Sequence, residues 1–146
     1  MNLKQQNPFL EFKVIWKDDE MFEMSTIAFS GDFFGKTEVY EQSKPLSDFA
    51  KSLIAYPKDQ KSLFYEVGEK DSYAYFSMKY YPIGVNGIVG VEIHLEENVS
   101  TVYRKEEKNK LKLEIIVEPA AIDRFQKELL QLAEKEEGIA TLYGRI

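Results

Sequence analysis

Along FLEFKVIWK (9–17) Leu10, Phe12, Val14 and Trp16 fall on one face. Glu11, Lys13 and Lys17 fall on the other, together with Phe9 and Ile15. A period of two with β-branched and aromatic residues predicts a strand. KDDE is its turn, MFEMSTIAFS (21–30) a second strand, and KTEVYEQ (36–42) a third. The period then changes. In SKPLSDFAKSLIAYP (43–57) Leu46, Phe49, Ala50 and Leu53 recur at helical spacing, Ser43 and Pro45 suit a helix start, and Pro57 is a stop. Four more strands follow at 62–68, 72–81, 85–97 and 110–118. PAAIDRFQKELLQLAEKEEG (119–138) is the clearest helix, with Pro119 in its first turn and a stripe of Ile122, Phe125, Leu129, Leu132 and Ala133. Gly138 fits its left-handed cap. ENVSTVYRKEEKN (97–109) reads as a charged connection.

The order β-β-β-α-β-β-β-β-α groups strands in runs. It predicts an α+β fold of mainly antiparallel sheet, about seven strands and two helices, in one domain spanning 1–146. It speaks against a doubly wound nucleotide fold. That matters for SGDFFGKTEVY (30–40), which contains a GKT tripeptide. A phosphate loop needs four residues between its glycines and a helix opening behind it. Here three residues separate Gly31 from Gly35, two of them are Phe33 and Phe34, and a strand pattern follows. A glycine-containing hairpin turn is the expected structure.

Composition narrows the chemistry. The chain has 146 residues, 44% of them hydrophobic and 14% aromatic, which befits a folded domain. Net charge is −6, so a phosphate backbone would be repelled and nucleic acid is not an expected partner. A basic protein is. With no cysteine, disulfides and thiolate chemistry are excluded. No apolar run approaches a membrane span and the start carries no secretory pattern, so a cytoplasmic protein without membrane association is expected. Asn98-Val99-Ser100 is a sequon by chance on this reading.

No catalytic, cofactor-binding or metal-ligating set is expected. His94 is the only histidine and cannot make a two-histidine metal site. The acidic pairs 18/19, 96/97, 106/107 and 136/137 lie in turns, loops or helix ends, and adjacent strand carboxylates point apart. Gly84 reads as a turn, and Gly87 and Gly90 as a bulge or a close-packed neighbour.

If strands 62–118 form one sheet, its inward set is Leu63, Tyr65, Val67, Ala74, Phe76, Met78, Tyr80, Val89, Val91, Ile93, Leu95, Leu111, Leu113, Ile115 and Val117. The opposite face mixes tyrosines with carboxylates. Tyrosine buries much area with little rotamer entropy, and carboxylates beside it select a basic partner. The candidate interface is therefore Tyr73, Tyr75, Tyr81, Glu92, His94 and Glu96, with Tyr103 as a further anchor in the charged connection. The alternative is that the N-terminal strands or a helix cover this face.

FSGDFFGKTEVYEQSKPLSDFAKSLIAYP, GIVGVEIHLEEN and LEIIVEPAAIDRFQKELLQL together resemble small bacterial immunity proteins of the WapI kind. The resemblance covers roughly 30–133 and rests on Gly35, Glu38, Tyr40, Phe49, Leu53, Pro57, Ile122, Asp123 and Phe125. STVYRKEEKNK has no counterpart in it. It implies a cytoplasmic, non-catalytic protein that neutralises the toxin domain of a cognate polymorphic or contact-delivered toxin, a nuclease in the type case. It transfers no interface residues. Two rival expectations stand beside it: a small-molecule pocket between sheet and helices, and a hydrolase using His94 with a nearby carboxylate.

Overall fold

The computed structural model describes residues 6–59, 61–70, 73–84, 86–99 and 107–146. Two four-stranded antiparallel sheets and two helices make an α+β fold. The first sheet has the order β3-β2-β1-β8, from β1 (Phe9–Lys17), β2 (Phe22–Phe29), β3 (Phe34–Glu41) and β8 (Ile139–Tyr143). The second is the meander β4-β5-β6-β7, from β4 (Leu63–Gly68), β5 (Tyr75–Ile83), β6 (Ile88–Val99) and β7 (Glu107–Val117). The helices are α1 (Ser43–Ser52) and α2 (Pro119–Lys135).

The expected core faces are the observed ones. Of the inward set of the second sheet, all but Leu63, Ala74 and Leu111 are buried, and those three pack against the core. The stripe on α2 is buried throughout, as are Leu46, Phe49, Ala50 and Leu53. Phe12 joins the layers: its ring lies 5.1 Å from Phe76 on the second sheet and 5.9 Å from Phe125 on α2. Phe49 of α1 meets Tyr65 and Tyr80 on that same inward face. At the seam, Thr37 donates through Oγ1 to the Glu96 carbonyl at 3.0 Å. Across the other end, Arg145 N–H bonds the Ile116 carbonyl at 2.8 Å.

The GKT tripeptide lies in this scaffold as strand. Ser30 N–H bonds Phe33 O, and the turn runs through Gly31 at a φ of 100°. Gly35 serves packing: a Cβ there would stand 2.5 Å from Leu111 Cδ2. A side chain at this position would displace the end of the Leu111 side chain.

Four expectations are corrected. Trp16 does not share the face of Leu10, Phe12 and Val14. A register shift between Val14 and Trp16 sets it opposite Glu23, on the outer face, edge-on to Tyr40; a bulge reverses the alternation beyond it. The first helix ends at Ser52, not 57, because the residue before a proline is kept out of helical geometry and the last turn must unwind ahead of Pro57. The left-handed cap of α2 is Glu136, at φ 53° and ψ 41°, and Gly138 belongs to the link into β8. The connection expected over 97–109 is shorter, since β6 continues to Val99 and β7 begins at Glu107. The eighth strand is an addition to the expected seven.

Candidate functional site

The outer face of the second sheet carries the residues singled out by sequence, and register explains their grouping. Antiparallel pairing sets Tyr75 opposite Glu96, Ser77 opposite His94, and Lys79 opposite Glu92. Across β6 and β7 it sets Glu92 opposite Glu114, His94 opposite Lys112, and Glu96 opposite Lys110. The helices and the other sheet contact the inward face, through Phe49, Phe12 and their neighbours.

At the centre is a buried carboxylate. Glu96 is 1% exposed. Its Oε2 lies 2.9 Å from His94 Nε2, and its Oε1 accepts from Asn98 Nδ2 at 2.9 Å, with Lys110 Nζ at 3.9 Å. Burying a charge is tolerable only with such partners. Asn98 Nδ2 also donates to the Tyr73 carbonyl at 3.0 Å, while Asn98 Oδ1 has no hydrogen-bond partner among the described residues. The imidazole of His94 meets the ring of Tyr75 edge-on, centroids 5.5 Å apart. Tyr75 donates to Glu66 Oε1 at 2.8 Å and is itself hydrogen-bonded by Ser77.

Electrostatics fix the protonation of this group. Burial holds His94 below its usual pKa; the pull of Glu96 opposes this, while Lys112 and Lys70 reinforce it. The 2.9 Å contact is therefore a neutral imidazole N–H donating to a carboxylate at neutral pH. Burial pushes the Tyr75 and Tyr81 phenols up, and their carboxylate partners add to it. Both remain donors. Tyr81 lies across Gly90, where a Cβ would meet its ring at 2.3 Å, and reaches Glu114. Glu92 pairs with Lys112 at 3.8 Å in the open.

The structure thus brings Tyr75, His94 and Glu96 into one knot and sets Tyr81 and Glu92 further along the same face. Tyr73 stands on the rim, 61% exposed. Tyr103 lies outside the described residues. Tyr75 and Glu96 are themselves buried, so they shape the face rather than offer contact area. Sequence reasoning passed over Ser77, Asn98 and Lys110. Their signal was the extension of the alternating pattern to Asn98 in β6 and to Lys110 in β7. Asn98 is 2% exposed, which suits no glycan acceptor.

Ser77, His94 and Glu96 are the residue types of a hydrolytic triad on adjacent strands. Their connections differ from one. The Ser77 hydroxyl engages Tyr75, and His94 turns its Nε2 to Glu96; a triad needs the serine on one ring nitrogen and the acid on the other. Among the described residues no three His, Asp or Glu side chains are grouped to hold a metal ion, and no helix is long and apolar enough to cross a membrane. The space between sheets and helices is filled by core side chains. The grooves, such as one of about 540 Å³ beside Tyr56, Pro119 and Asp123, open at the surface.

Comparisons with protein-family models, with curated proteins and with solved structures found no match.

Proposed function

We propose that this chain is a non-catalytic immunity protein, acting in the cytoplasm as one domain, that binds and neutralises the toxin domain of a cognate polymorphic or contact-delivered toxin. The observation that carries the reading is the outer face of the second sheet. Before any partner arrives Tyr75 is held by Glu66, Tyr81 by Glu114, and His94 and Asn98 by Glu96. A surface ordered in advance loses less entropy on docking. Tyrosine and carboxylate on its exposed part, at Tyr73, Tyr81, Glu92 and Glu114, suit a basic domain such as a nuclease.

The test is capture followed by inhibition. The pure protein is immobilised and exposed to lysate of the producing cells, and the bound domain is then produced alone and assayed with and without the protein. The expected result is one basic domain, released by salt, whose toxicity is abolished at equimolar protein. Glu92→Lys and Tyr81→Ala should each weaken binding about tenfold, near 1.4 kcal/mol. A captured domain whose activity is untouched by the protein would overturn the reading.

A further inference from the structure

Where the two sheets meet, a groove borders the knot and shares Asn98 and Tyr73 with that face. The end of β3 supplies Glu38 and Tyr40, the end of β4 leads to Glu69, Tyr73 precedes β5, and Glu97 and Asn98 come from β6. These residues line one groove of about 440 Å³. Three properties of its lining converge on one kind of ligand.

The first is charge. Glu38 is loosely paired with Lys36 at 3.9 Å. The carboxylates of Glu69 and Glu97 meet no cation among the described residues, and both side chains are exposed. The second is aromatic walls: Tyr40 and Tyr73 are 56% and 61% exposed. The third is an acceptor in want of a donor. Asn98 belongs to the groove lining, is more than nine-tenths buried, and has both hydrogens of its amide engaged while Oδ1 has no partner among the described residues. Buried acceptors are ordinarily satisfied, so an orphan marks where a donor is missing.

We infer that this groove receives an arginine side chain presented by a basic protein partner. A guanidinium is planar, carries five donors, forks onto carboxylates and stacks on tyrosine rings. It can satisfy separated acceptors and two aromatic walls at once. A metal ion needs oxygens converging on one point, and these carboxylates do not gather so. The proposal rests on the partner being basic, as the immunity reading has it, but it is tested without that partner.

The probes are the blocked tripeptides Gly-Arg-Gly, Gly-Lys-Gly and Gly-Gln-Gly, and calcium ion, each titrated into 15N-labelled protein. The expected result is a saturable shift of the Asn98 side-chain amide and of the Tyr73 and Glu97 backbone amides with Gly-Arg-Gly. Gly-Lys-Gly should bind at least fivefold more weakly, and Gly-Gln-Gly should leave these signals in place. Glu69→Gln combined with Glu97→Gln, folded as judged by an unchanged amide spectrum elsewhere, should abolish the shift. No localised shift, a shift that survives the double variant, or the same residues moving with calcium alone would overturn the inference. The two readings separate cleanly. A captured toxin domain bound as tightly by the double variant as by the native chain would refute the groove and leave the immunity function standing. Arginine binding in the groove with no toxin domain inhibited would do the reverse.

Discussion

His94 is a single titrating group enclosed by Glu96, Tyr75, Lys112 and, at longer range, Lys70. Its pKa in the folded chain is lowered, burial being the largest cause. Between the folded value and the unfolded value of about 6.5 the unfolded chain binds more protons. Stability therefore rises with pH across that window and is lost as pH falls through it. Urea unfolding at pH 7.5 and pH 5.5 should show a larger loss in the native chain than in His94→Gln, with carboxylate contributions common to both. Equal losses would mean that folding does not lower the pKa of His94. A second residue-scale prediction concerns Gly90. The ring of Tyr81 occupies the volume that a side chain at this position would need, so Gly90→Val must lift that tyrosine off the strand and away from Glu114. We expect destabilisation of about 1–3 kcal/mol, as for overpacking elsewhere, and a Tyr81 phenol that titrates closer to its ordinary range, read by ultraviolet difference titration.

Elements whose pairing is local were the ones legible in the sequence. The second sheet is a meander, so each strand pairs with its chain neighbour, and alternation alone set its inward face. The helical stripe of α2 and Pro119 at its start were equally local signals. The eighth strand was not legible. IATLY is five residues long and pairs with β1, Lys13 opposite Ile139, across almost the whole chain. Likewise the groove at the seam gathers the ends of four strands, and Tyr75 and Glu96 are enclosed by side chains of neighbouring strand positions, Glu66, His94, Asn98 and Lys110; neither leaves a periodic trace. The turn into β8 yields a prediction of its own. Glu136 occupies the left-handed region with its N–H on the Leu132 carbonyl at 2.8 Å, a position that favours glycine. Glu136→Gly should stabilise the chain by about 1 kcal/mol, the cost of a left-handed L-residue, measured as an increased urea midpoint at constant slope. An unchanged or lowered midpoint would mean that the Glu136 side chain contributes more than its backbone costs.

Both sheets and both helices share one cluster of buried side chains, and this makes a claim about the whole molecule. Phe12 sits on the first sheet with its ring against Phe76 of the second and Phe125 of α2. Removing it opens a cavity shared by three elements. Phe12→Ala should therefore cost about 3–5 kcal/mol, as large-to-small core changes do. The manner of the loss is more informative than its size. Trp16 is the only tryptophan and reports from the first sheet, whereas far-ultraviolet circular dichroism reports from all elements. If the shared core makes the sheets one cooperative unit, both probes must fall together in urea, in the native chain and in Phe12→Ala alike. A Trp16 transition that precedes the dichroism change would mean that the first sheet can detach from the meander. The seam groove, lined from both sheets, would then be lost while the preformed face of the meander persists. Coincident transitions would instead tie both surfaces to a single folded state, so that a partner engaging either one stabilises the other.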